Sequence, residues 1–451
     1  MKKKLLARFA LCNPRRLWKQ DNFVLSTFSP GLLKLDDESE ESNEIMRRSV
    51  RTCYNAGFNL LELGWASHDR AKAAVQMCEQ LGIGVIYQNL KRYGGMGSKN
   101  IFCKTNDLLG SMEEMRRWKS VVGYYVWDEP VTEEQMHVTR NMIDTVERER
   151  PESLPFTVAN PSYNRHFLWA DGNYSKYIDQ YIDIIDPPIM SFDYYPVGAK
   201  TNEHDEIRQL DESLMWCDLE YVRRAAKKAN IPFWFYYQGQ NLHGYPHFVF
   251  PMVRVMMHGA LLYGVKGLQH YTAWESVVDA KDGGKGEYFE DQKQIHFELS
   301  QLGRTLMALD CTHVIHDASL LPNCPYMKEL KTDITDSKLL DGELPYRTSV
   351  SELTDAYGND YLMVLNRDYV KDADITLKLK TPSRVYEVSR EDGEQRVLYD
   401  NVSELNISLI NGGLGLYRIE NADKEPSIIE YYLEKEYVPT TEKAPKASRA
   451  N

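Results

Sequence analysis

The pattern of apolar and polar positions divides the chain into two regions of different period. From residue 23 to 309, short apolar runs rich in β-branched and aromatic residues alternate with stretches whose apolar positions recur every three or four residues. The short runs fall at 23–27, 58–63, 83–87, 121–127, 155–159, 188–192, 232–237 and 267–271. Helices are expected between them over 45–56, closed by Gly57, and over 69–81, 108–118, 136–148, 214–228 and 252–263, with 295–309 as a closing helix. Strands written as continuous apolar runs suit a parallel sheet buried on both faces. Eight of them alternating with helices is the count of a (β/α)8 barrel. The predicted fold is therefore α/β, a TIM barrel over 19–309.

Beyond residue 309 the period changes to that of short strands separated by Asp, Asn and Gly turns. Strands at 361–366, 375–379, 384–388, 405–409 and 414–419 predict a small antiparallel β-sandwich over 346–420, joined to the barrel by a connecting segment, 310–345. Residues 421–451 read as a polar tail, and 1–18 as a lead-in or the remnant of an export signal. In that remnant a basic start and a short apolar run end in Phe9-Ala10-Leu11-Cys12, with Arg8 interrupting. It points to a periplasmic or secreted bacterial protein, with a cytoplasmic one as the alternative.

Pattern alone also locates candidate chemistry. The run 121–127 stops at two adjacent carboxylates, Asp128 and Glu129, and Pro130 prevents the strand from continuing. In a barrel, the C-terminal ends of strands hold the ligand site. The competing reading makes Asp128 the cap of the next helix, with Glu129 in its first turn. The other strand ends carry Glu62 and Trp65, Gln88 and Asn89, Asn160 and Tyr163, Asp193 and Tyr194, Gln238 and Gln240, and Tyr271, Trp274 and Glu275. Such a rim of acids, amides and rings suits a neutral polyhydroxylated ligand: rings for sugar faces, amides and acids for hydroxyls.

Composition narrows the partners. A net charge of -12 leaves no basic excess to neutralise phosphates, so no nucleic-acid partner is expected. No run reaches the length of a membrane span. The 7 cysteines are scattered without CxxC spacing, so neither a zinc site nor a disulfide framework is indicated. His243, His247 and His270 form no HxH or HExxH motif, and Gly283-Gly284-Lys285-Gly286 lies too far past strand eight to cradle a phosphate. No metal and no cofactor are expected. The oligomeric state is unknown from sequence.

With Asp128-Glu129-Pro130 ending the fourth of eight strands, the chain resembles the (β/α)8 glycoside hydrolases of clan A type, whose acid/base Glu ends strand four and is usually written Asn-Glu-Pro. Phe192-Asp193-Tyr194-Tyr195-Pro196 after strand six and Tyr271-Thr272-Ala273-Trp274 after strand eight have the look of the same clan, and a C-terminal β-sandwich is a common companion. The resemblance, over about residues 20–305, implies a glycosidase cleaving a neutral oligo- or polysaccharide. It makes Glu129 the general acid and Asp128 the counterpart of the clan's Asn. The clan's nucleophilic Glu at strand seven is missing, since the chain has Tyr236-Tyr237-Gln238-Gly239-Gln240 there. Asp193, and next Glu275, are the candidates for the second carboxylate. Both leave strands across the mouth from strand four, which favours a wide separation and an inverting reaction. Glu62, Trp65, Asn160, Tyr194, Gln238, Tyr271 and Trp274 are the candidate substrate-binding residues. A catalytically silent carbohydrate-binding barrel stands as the alternative, and a lyase or isomerase as a third reading.

Overall fold

The computed structural model of the protein describes residues 2–7, 15–29, 39–63, 68–88, 105–163, 173–197, 212–242, 248–320 and 334–433. After a short strand, β1 (Lys2–Leu6), come eight parallel strands: β2 (Val24–Phe28), β3 (Leu60–Leu63), β4 (Gly84–Tyr87), β5 (Val121–Asp128), β6 (Leu154–Val158), β7 (Met190–Tyr194), β8 (Phe233–Gln238) and β9 (Gly267–Tyr271). They form one sheet in the order β6-β5-β4-β3-β2-β9-β8-β7. Its two ends meet at a parallel bridge between Ala159 and Phe192, where the Ala159 N–H donates to the Ser191 carbonyl at 2.8 Å. The sheet is thus a nearly closed barrel, joined at the C-terminal ends of β6 and β7.

Between and after these strands run α1 (Glu40–Asn55), α2 (His68–Leu81), α3 (Thr105–Met115), α4 (Glu133–Glu149), α5 (Tyr174–Ile185), α6 (Glu212–Ala229), α7 (Phe250–Leu262) and α8 (Phe289–Ala308). This is the (β/α)8 barrel that the alternation predicts. The pattern reading assigns no helix at α5, although Tyr174, Tyr177, Ile178, Tyr181 and Ile185 are buried at helical spacing. Tyr and Ile also favour strands, which hides the period.

Successive side chains on each strand face opposite ways. One set packs against the helices; the other fills the barrel with Phe28, Leu60, Ile86, Tyr125, Phe156, Trp234 and Tyr236. Gly267 makes room for the largest of these, because a Cβ there would lie 2.6 Å from the Trp234 ring. The Trp234 indole N–H then donates to the Gln20 side chain at 2.9 Å, tying the segment before β2 to the barrel interior.

The second region is a curled antiparallel sheet. Its strands β10 (Asp310–His316), β11 (Leu340–Asp341), β12 (Thr348–Thr354), β13 (Asp360–Asn366), β14 (Ala373–Val388) and β16 (Leu414–Asn421) run in the order β10-β12-β13-β16-β14-β11, and β15 (Gln395–Leu409) pairs with β14. Alternation divides its residues between two cores. Leu362 and Val364 face a core of the sheet's own, whereas Tyr361, Met363 and Leu365 join the core shared with the barrel helices. The stretch 310–345, expected as a connector, contributes β10 and β11. Two strands expected at 375–379 and 384–388 are one, β14, whose register shifts where Pro382 interrupts the ladder. Polar contacts fasten the sheet to the barrel: the His258 imidazole meets the Gly412 carbonyl at 2.7 Å, and Arg254 donates to the Asn411 carbonyl at 2.8 Å.

The lead-in and the tail differ from expectation. β1 pairs in parallel with β17 (Ile428–Tyr432), and the Tyr431 hydroxyl docks on Asp355 at 2.5 Å and on the Tyr361 hydroxyl at 2.7 Å. The exposed Lys2, Lys3 and Lys4 of β1, and the exposed Ile428 and Tyr432 beside the buried Ile429 and Tyr431 of β17, conceal the pairing from a pattern reading. No described helix is long and apolar enough to cross a membrane.

Candidate active site

β5 places the central acids through an irregularity. Its pairing with β6 slips between Tyr125 and Trp127, so that Asp128, three residues past Tyr125, faces the same side. Such a bulge re-aims a side chain at the rim of a barrel. The Tyr125 hydroxyl donates to Asp128 Oδ1 at 2.7 Å. Glu129 follows with φ of 48°, in the left-handed region that residues other than glycine rarely adopt, and its N–H donates to the Val158 carbonyl at 3.1 Å. Neither acid caps a helix. α4 starts later, at Glu133, with Thr132 as its N-cap and Gln135 completing a capping box. The capping alternative for Asp128 and Glu129 is thereby removed.

Asp193, in β7, comes to the same point. The Glu129 carboxyl donates a hydrogen bond to the Asp193 carboxyl, and the Tyr195 hydroxyl donates to it as well. The expectation that Asp193 stands far across the mouth is corrected: closure between β6 and β7 brings the two strand ends together. Burial first, then the charges of Asp193 and Asp128, hold the Glu129 proton on well above the usual carboxylate range. Burial and Asp128 raise Asp193 too, opposed by its hydrogen bonds from Tyr195 and Glu129. Asp128 is raised by burial, with Tyr125 opposing. At neutral pH the pair therefore shares a proton, carried by Glu129 and accepted by Asp193. A general acid requires a carboxyl that keeps its proton in this way.

Rings enclose the acids. Tyr271 stacks on Tyr195 at 4.7 Å and on Phe28 at 5.7 Å, and Tyr163 meets Tyr194 edge-on at 5.1 Å. Trp274 is half-buried, and its indole N–H lacks a partner among the described residues. The expected residues otherwise separate. Tyr194 is buried, and the Asn160 N–H donates to the Tyr177 hydroxyl at 3.0 Å. Gln238 clamps both the N–H and the carbonyl of Val197, at 2.9 and 3.0 Å, so its role is to hold the chain after β7. Glu275 is exposed. Trp65 lies outside the described residues.

Glu62 is completely buried and touches no solvent. Its Oε1 accepts from Ser26 and from Gln269, both at 2.8 Å, and Gln269 accepts in turn from Ser191 at 2.7 Å. Burial pushes its carboxyl up to about 7, with the charge of Asp128 adding and the two hydrogen bonds opposing. Tyr195 and Tyr125 were not singled out by sequence as ligands of the acids. Alternation could have found Tyr195, two residues from Asp193 and hence on its face. No group of three or more His, Cys, Asp or Glu side chains arranged to hold a metal occurs among the described residues.

A (β/α)8 barrel with a hydrogen-bonded acid pair at its C-terminal mouth, carrying a curled antiparallel sheet, is thus the architecture of this chain. No protein-family model matches it, and no curated protein does. Among solved structures it is similar to an alpha-galactosidase candidate from Bacteroides fragilis, at 10% identity and a TM-score of 0.50, over 89% of this chain and 80% of that one. It is also similar to an alpha-L-fucosidase candidate from Bacteroides thetaiotaomicron (10% identity, TM-score 0.48, 62% of this chain and 98% of that one). A third is the GH51 arabinofuranosidase from Xanthomonas axonopodis pv. citri (9% identity, TM-score 0.43, 86% and 91%). At these identities the likeness is one of fold.

Proposed function

We propose that the protein is a glycoside hydrolase acting on a neutral oligo- or polysaccharide, with Glu129 as general acid and Asp193 as the second carboxylate. The observation that carries this reading is the buried Glu129–Asp193 hydrogen bond at the barrel mouth, one acid holding the proton and the other accepting it. Glu129 would protonate the leaving glycosidic oxygen while Asp193 acts on the anomeric carbon or on a water beside it. Retaining enzymes separate the two carboxyls by about 5–5.5 Å and inverting ones by about 6.5–9.5 Å. A pair already in contact needs the smaller opening to admit a sugar, which favours retention over the inversion expected from sequence. The charge of Asp128, which accepts from Tyr125, would support the protonated form of Glu129. Tyr271 and Trp274 are the rings placed to stack on sugar faces.

The test is hydrolysis of a panel of neutral aryl glycosides and oligosaccharides by the wild type and by Glu129→Gln, with the anomeric configuration of the first product read by NMR. Turnover lost in the variant and a retained configuration support the reading. A second reading, a barrel that binds glycans without cleaving them, is favoured by Gln238, an amide engaged with backbone where the clan has its nucleophile. Binding of an oligosaccharide by the wild type with no product from any glycoside would establish it.

A further inference from the structure

Buried polar atoms are nearly always hydrogen-bonded, so one that is not calls for an explanation. Among the described residues, buried atoms without a partner include Glu62 Oε2 of β3, Gln88 Oε1 just past β4, Asp193 Oδ1 of β7, Tyr236 Oη of β8 and Trp274 Nε1 after β9. All five come from the inner face or the mouth of the barrel. Gln88 belongs neither to the acids nor to the rings. Its direction follows from alternation: Ile86 joins the core inside the barrel and Tyr87 the core under the helices, so Gln88, the next residue, turns inward at the mouth. β4 lies beside β5 in the sheet, and Tyr87 pairs with Tyr124, which sets Gln88 alongside Tyr125 and the acids that follow it. The side chain is only 8% exposed, and its amide oxygen accepts no bond. An unpaired amide in a buried place costs stability that a Leu or Met of similar size would not. Packing therefore does not account for a glutamine here.

We propose that Gln88 is a specificity-determining residue of the site, its amide oxygen accepting a hydrogen bond from one hydroxyl of the sugar that lies against the acid pair. This deepens the hydrolase reading and rests on it. A sugar hydroxyl can donate to Oε1, whereas a hydrogen or fluorine on the same carbon cannot. A site built to bond a substrate hydroxyl discriminates against the analogue that lacks it, because its own buried group is then left unpaired. The acceptor is uncharged, which matches a neutral hydroxyl.

The experiment compares kcat/KM of the wild type and Gln88→Leu on the best substrate of the neutral aryl glycoside panel and on each of its monodeoxy analogues. The variant is expected to lose about tenfold or more on the parent glycoside. Its melting temperature should be kept or raised, since Leu removes an unpaired amide from a buried place. On one analogue, wild type and variant should converge, because the hydroxyl that Gln88 recognises is already gone. No loss on the parent, or the same loss on every analogue, overturns the proposal. Should Gln88→Leu not fold, Gln88→Met, which keeps the length and lacks the amide, carries the same expectations. If neither folds, Gln88 is a structural residue and the proposal is overturned. Should the wild type hydrolyse no glycoside of the panel, the hydrolase reading has failed by itself, and calorimetric titration with the panel's oligosaccharides decides for Gln88. Weaker binding by the variant supports the sugar contact; equal binding, or binding by neither protein, overturns it.

Discussion

Replacing Glu62 by Gln should change how stability depends on pH, and the structure sets the size of the change. The carboxyl is fully enclosed, so no solvent screening reduces the effect. Its ionisation lies at about 7 in the folded chain against 4.5 for the free side chain, raised first by burial. Between those two values the folded chain keeps a proton that the unfolded chain has released. The contribution is therefore fully present below about pH 4.5 and is lost as pH rises through about 7. A gap of about 2.5 pH units, at about 1.4 kcal/mol each, makes the loss ~3 kcal/mol. Urea unfolding at a series of pH values from 4.5 to 8 measures it. Glu129 and Asp193, raised in the same direction, give both proteins a common slope. The difference between wild type and Glu62→Gln should therefore drift by ~3 kcal/mol in favour of the variant over that range. Parallel curves would refute the reasoning, because they would mean that Glu62 does not titrate between its free and buried values.

Glu129→Gln should reduce turnover of a glycoside with a poor leaving group by about 10²–10⁴-fold and leave the circular dichroism spectrum unchanged, since size and hydrogen bonding are kept and only the proton is removed. Thr132→Ala removes the side chain that caps α4 and should cost about 1 kcal/mol of stability by denaturant titration, with kcat/KM unaltered. Tyr431→Phe deletes the hydroxyl that meets Asp355 and Tyr361, which keep Asn359 and Gln395 as partners. A loss of about 0.5–1.5 kcal/mol in stability by calorimetry, with turnover unchanged below the transition, is the expected result.

The barrel was legible because its signal is redundant. Each strand is an apolar run that could belong to many folds, but eight of them separated by helical periods leave few topologies. Glu129 was legible for the same reason, as an acid at the end of the fourth strand. Regions with weaker redundancy were misread. The antiparallel domain lost β10 and β12 because their runs are broken by polar residues such as Ser349, Ser351 and Glu352, which are nevertheless buried. The pairing of β1 with β17 was invisible, since it joins segments more than 400 residues apart.

The partner of Glu129 depended on features that a strand count does not carry. A regular β5 would alternate Tyr125, Trp127 and Glu129 on one face and leave Asp128 on the other. The extra residue between Tyr125 and Trp127 breaks that parity, and Asp128 joins Tyr125 inside the mouth. Placing Asp193 required knowing where the barrel closes. Strand order by itself sets strands four and six two places apart, with β6 between them, which reads as a wide gap. In the folded chain β6 ends at Val158, and the only strand-to-strand link described beyond it is the bridge from Ala159 to Phe192. The Glu129 and Asp193 side chains both leave their strand ends at the mouth, where their carboxyls share a hydrogen bond. The strand-seven end carries Gln238, whose amide holds Val197 in the segment that follows Asp193.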